Sequence, residues 1–130
     1  MYTEEGRWDK MREGAEFFKL FVDHPCPRVC IENPIPHKYA VSVIGMQYTQ
    51  IVHPWQFGHP EQKATCLWLK GMLPKLEPTN NVKKEMMLLP KNVRERLHYL
   101  PPSEERAKLR SKTFQGFADA MADQWTHTLF

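Results

Sequence analysis

The chain has no glycine-rich loop of the kind that cradles phosphates and no Gly-x-Ser-x-Gly turn that would present a nucleophile. Neither autonomous nucleotide-cofactor binding nor serine-hydrolase chemistry is therefore expected. No apolar run approaches the roughly 18 residues a membrane-crossing helix needs, and the first residues are charged rather than leader-like. Cysteine is sparse and odd in number, at three residues, which argues against a disulfide framework and for a reducing, cytoplasmic setting. Strong charge of one sign is missing as well. A net charge of +3 falls short of a dedicated nucleic-acid binder. Internal repeats and low-complexity tracts do not occur.

What is present fits one globular domain over residues 1–130, long enough to bury a core without staples. Eleven prolines fall mostly between apolar runs and predict short elements joined by stiff loops. Trp8, Met11, Ala15, Phe18 and Val22 recur at steps of three and four, which predicts a helix over 5–22. The run 28–32 reads as a buried strand, after which Pro34 and Pro36 should prevent regular pairing. A short helix over 37–44 closes at Gly45, and strands follow at 48–53 and 64–69. Prolines 74, 78 and 90 break up the stretch that follows, leaving a short helix over 83–89 and a turn over 94–99. Ser103 reads as a helix cap, and Phe114, Phe117, Ala118, Met121 and Trp125 form one stripe of a last helix over 113–125.

Three groups of residues bear on chemistry. Glu32 and Asn33 end the first strand, where a carboxylate beside an amide can hold the edge of a nucleobase or a similar ligand. Trp55, Phe57 and His59 share the proline-bounded loop 54–60, from which rings can stack on bases or fold back over the core. Residues 83–112 carry nine Lys and Arg against four Glu, so Arg94, Arg96, Arg110 and Lys112 offer a phosphate-facing surface, with an ordinary solvated face as the plainer reading. No metal is expected. His24, Cys26, Cys30, His53, His59 and Cys66 lack the tight pairs of a zinc site, and Cys30 and Cys66 fall inside strands.

Four blocks together resemble phage-type DNA cytosine methyltransferase-like proteins. They are Arg7-Trp8-x-x-Met11-Arg12-Glu13-Gly14-Ala15, Ile31-Glu32-Asn33-Pro34-x-x-His37-Lys38-Tyr39-Ala40, the run from Pro54-Trp55-Gln56-Phe57-Gly58-His59-Pro60 through Leu69, and Arg110-Ser111-x-Thr113-Phe114 through Trp125. The resemblance implies an α/β fold, here a small, truncated Rossmann-like sheet of about three or four strands flanked by helices. It implies that Glu32 and Asn33 hold a flipped cytosine by its ring nitrogen and amino group. Such enzymes also carry a strand and glycine loop for S-adenosylmethionine, then a Pro-Cys nucleophile. Neither stands here in the matching place, because Pro25-Cys26 follows the first matching helix. The chain thus looks like the C-terminal half of the fold, starting at its own Met1. It binds no cofactor alone, and S-adenosylmethionine only if a partner completes it.

Three functions follow as expectations. The preferred one is a catalytically silent protein that binds and blocks a host nucleic-acid defence enzyme, such as a restriction or CRISPR effector. The next is the substrate-side part of a split DNA cytosine methyltransferase whose other half brings donor and cysteine. The last is a small DNA-binding module. Each places the chain in the host cytoplasm without a membrane, and a truncated sheet is expected to form a homodimer.

Overall fold

The structure, a computed structural model, describes residues 4–126. It is a mixed helix–strand architecture with one small, open, three-stranded antiparallel sheet. The chain divides into two compact units. The first takes residues up to Ile51 together with Thr65–Lys75, and the second takes Val52–Ala64 together with the residues from Leu76 onward.

In the first unit, α1 (Glu4–Val22) begins on Glu4 and Glu5 and ends near Lys19, charges that suit its dipole at both ends. Strand β1 (Val29–Pro34) follows, then α2 (Lys38–Ile44), β2 (Gln50–Val52) and β3 (Thr65–Lys70). His37 caps α2 by accepting from the Tyr39 N–H through Nδ1, and Gly45 closes it in the left-handed region at φ 79°. The last strand in sequence is the middle one in space, in the order β1-β3-β2. Its central position accounts for burial along nearly its whole length, and Cys66, Leu67 and Trp68 are fully enclosed. Trp68 pins the unit together. Its indole N–H donates to the Met46 carbonyl at 2.8 Å, and Phe18 and Tyr48 pack edge-on against its ring. Ala15, Val22 and Ile44 form the core between α1 and α2, and Phe18, Ile31 and Val43 pack against them. The Lys70 ammonium donates to the Val22 carbonyl and so satisfies an orphan acceptor at the end of α1.

Pro34 corrects the expectation that pairing stops before it: it is the last residue of β1 and sits opposite Thr65. Its position explains the tolerance. The Thr49 N–H donates to the Leu67 carbonyl, so Leu67 turns its polar groups toward β2, and alternation turns those of Cys66 and Trp68 toward β1. Their partners Asn33 and Ile31 therefore make the β1–β3 bonds, and Pro34 directs its missing N–H away from β3, as an outer strand allows. The second strand is shorter than expected. Just before it, Thr49 bonds β3 twice, donating its N–H to the Leu67 carbonyl and accepting from the Leu69 N–H through its hydroxyl at 3.0 Å.

The second unit is built from short helices: α3 (Lys83–Met87), α4 (Lys91–Arg94), α5 (Glu104–Ser111) and α6 (Gln115–Thr126). A 3-10 turn, Pro54–Gln56, precedes them. Ser103 caps α5 by accepting from the Arg106 N–H at 3.1 Å. Of the expected stripe on α6, Phe117 and Trp125 are buried while Phe114 and Met121 are half-buried. Phe57, Leu76, Met86, Phe117 and Ala120 make the core. Among the described residues no helix is long and apolar enough to cross a membrane.

Candidate functional site

Glu32 and Asn33 both wall a groove of about 470 Å³ in the first unit. Asn33 lies opposite Cys66 near the end of β1, and alternation directs it, with Ile31, to the helix-covered face. Glu32 is one step out of phase yet is still among the groove's walls. The opposing wall is aromatic, formed by Phe17, Phe18 and Phe21 of α1, and His37 stands at the start of α2. The Asn33 amide donates locally to the Pro34 carbonyl at 3.3 Å, which holds it at the strand's end. The groove thus offers a carboxylate and an amide against flat apolar walls. That chemistry suits a planar ligand carrying both donors and acceptors on its edge.

The cysteines are placed unequally. Burial, and next the negative charge of Glu32, push the Cys30 thiol up to about 11, and burial raises that of Cys66. Both hold their protons at neutral pH and make poor nucleophiles there. Cys26 is exposed, and its thiol donates to the Arg28 carbonyl at 3.3 Å. Among the described residues no three of His, Cys, Asp and Glu gather as a metal site requires.

The residues of the 54–60 loop part company in the second unit. Phe57 is 4% exposed and packs edge-on against Phe117, so its ring belongs to the core. Trp55 is half-buried, stacks on His53 at 5.1 Å and lies under the Lys83 ammonium at 5.0 Å. His59 tilts against Phe114, and its Nε2 accepts from the Gly116 N–H at 2.9 Å.

Most of the expected phosphate-facing cations are engaged within their own unit. Arg110 donates through Nε to the Leu97 carbonyl and through Nη2 to that of His98. Arg94 donates through Nη1 to the Leu89 carbonyl, and Arg96 pairs with Glu61. His59, Arg96 and Lys112 are brought together around one groove of about 330 Å³, where Glu61 pairs with Arg96. Arg94 and Arg110 do not line it.

The spacing of apolar residues puts Trp8 and Met11 on the buried stripe of α1. Instead Trp8 is 43% exposed, and burial along the stripe is complete only at Ala15 and Val22. Trp8 packs against His37 and Tyr39, and together with Arg12 it opens a second groove of the same unit. The signal lay in the spacing of aromatic and basic residues, Trp8 with Arg12 and His37 with Tyr39, but only the packing of α1 on α2 joins the two pairs. Comparison with protein-family models, curated proteins and solved structures returned no match.

Proposed function

We propose that the chain is the substrate-side portion of a DNA cytosine methyltransferase-like fold. In this reading Glu32 and Asn33 hold the edge of an extruded cytosine, and a further portion of the fold supplies S-adenosylmethionine and the attacking thiolate. One observation carries it: Glu32 and Asn33 wall a groove of about 470 Å³ that Phe17, Phe18 and Phe21 also line. The carboxylate suits the exocyclic amino group, and the amide can face a ring nitrogen or carbonyl. The Rossmann-like part of this reading rests on the sequence resemblance; the three described strands pair antiparallel with β3 in the middle. Burial keeps the Cys30 and Cys66 thiols protonated, so neither is the attacking sulfur in this reading.

The test compares single-stranded oligonucleotides of thymidine with the same strands carrying one central cytosine. Glu32→Gln removes the negative acceptor at constant size. The reading expects it to erase the preference for cytosine while far-UV circular dichroism stays unchanged. An unaltered preference in the variant would refute it.

A second reading is favoured by the apolar side chains α1 leaves in solvent, Phe17 at 62% and Leu20 at 66%. These suit a protein partner, so that a silent chain of this origin covers a host restriction or CRISPR effector. Here Glu32→Gln leaves inhibition of the effector's DNA cleavage intact, while Phe17→Asp abolishes it.

A further inference from the structure

The first unit carries a run of adjoining grooves rather than a single groove. Met11 walls the Glu32–Asn33 groove, the Trp8–Tyr39 groove of about 490 Å³ and a third groove of about 350 Å³. His37 is shared by the first and third of these, and Trp8 by the second and third. At the far end two aromatic rings meet at nearly a right angle. Trp8 and Tyr39 have centroids 5.1 Å apart and planes 79° apart, and each ring is about half exposed. His37 stacks on Tyr39 at 5.1 Å and also accepts the Tyr39 N–H as the cap of α2, so the rings are anchored to the first turn of a helix. Arg12 lines the groove, and the Lys38 ammonium lies 5.2 Å from the Tyr39 ring centre.

From this continuity we propose that the Trp8–Tyr39 groove takes the nucleotide next to the base held at Glu32 and Asn33. Its base stacks on the exposed rings, and its phosphate lies toward Arg12 and Lys38. The identity of the held base rests on the reading above, but the stacking step does not. Rings preset in one geometry lose little freedom on binding and accept any base, because every base offers a flat face. Charge around the track is balanced, Arg7 and Arg12 against Glu4 and Asp9. Stacking rather than counterion release therefore supplies most of the affinity, and the dependence on salt is shallow.

The experiment is fluorescence-anisotropy titration of the whole protein with short single-stranded oligodeoxynucleotides, either all thymidine or with one central cytosine, at two salt concentrations. Trp8→Ala is expected to weaken both oligonucleotides about 10-fold or more. Trp8→Phe, which keeps a ring, should recover most of the loss and serves as the control for folding. Binding that Trp8→Ala and Tyr39→Ala leave unchanged overturns the proposal but not the base-holding reading. So does binding that collapses with salt whatever stands at position 8. Ring-dependent binding with no cytosine preference upholds this groove and overturns Glu32 as the base holder. No saturable binding of either oligonucleotide overturns the groove outright.

Discussion

At the residue scale, single atoms decide what is tolerated. Gly71 has φ 77°, and a Cβ there would fall 1.6 Å from the Pro27 carbonyl oxygen, so both the backbone and the space demand glycine. Gly116 has ordinary dihedrals, but its Cβ would fall 2.3 Å from the Phe57 carbonyl oxygen and 2.9 Å from the His59 Nε2 that accepts its N–H. Gly116→Ala is expected to cost about 2 kcal/mol or more, read as a lowered urea midpoint with unchanged slope. The cysteines give a second prediction. Native protein should react with a thiol reagent quickly at Cys26 alone, with Cys30 and Cys66 following only on unfolding; two fast thiols would contradict the burial assigned to them. The raised Cys30 value also fixes a pH window. The folded state holds this proton more tightly than the unfolded chain, so the stabilisation is complete below about pH 9 and is lost as pH rises through about 11. Alkaline melting curves of Cys30→Ser should lack that component.

At the element scale, helices this short depend on what bonds their ends. The Arg110 guanidinium on α5 collects the Leu97 and His98 carbonyls, and the Lys63 ammonium donates to the Arg110 carbonyl. Arg110→Ala leaves backbone acceptors without a charged donor and is expected to cost about 1–3 kcal/mol, measured as a drop in melting temperature. Arg110→Lys should not rescue it, because one ammonium cannot reproduce the planar fork. The His53–Trp55–Lys83 contact works in the opposite sense. Burial, and then the Lys83 charge, lower the His53 pKa, so the folded state prefers the neutral ring. Its contribution is complete above the ordinary histidine value near 6.5 and is lost as pH falls through the lowered one. Lys83→Gln should flatten that acid limb of a stability–pH profile; an unchanged limb would show that the charge does not act there.

At the scale of the whole molecule, each unit has its own core and its own grooves. The proposed function draws its methyl donor and its thiolate from a further portion of the fold. Calorimetry of the isolated chain with S-adenosylmethionine is therefore expected to release no heat of binding; saturable heat would contradict the need for a further portion. Much of this molecule is legible in the sequence. Periodicity marks α1, Gly45 and Ser103 mark helix ends by chemistry that acts within a few residues, and continuous apolar runs mark β1 and β3. Local rules misplace Pro34, because whether a missing N–H matters depends on which side of the strand has a neighbour. They misplace Trp8 as well, because a helical stripe does not say how far along its length anything covers it. The expected cationic face of Arg94, Arg96 and Arg110 is also read differently in three dimensions, since the carbonyls and carboxylate that engage these side chains arrive through tertiary packing. The sequence by itself determines most of the longer elements, the Gly45 and Ser103 helix ends and the Glu32–Asn33 pair, because those follow from the properties of neighbouring residues. Only the tertiary structure decides that β3 inserts between β1 and β2, and that Trp8, His37 and Tyr39 meet, because these depend on contacts between segments far apart in the chain.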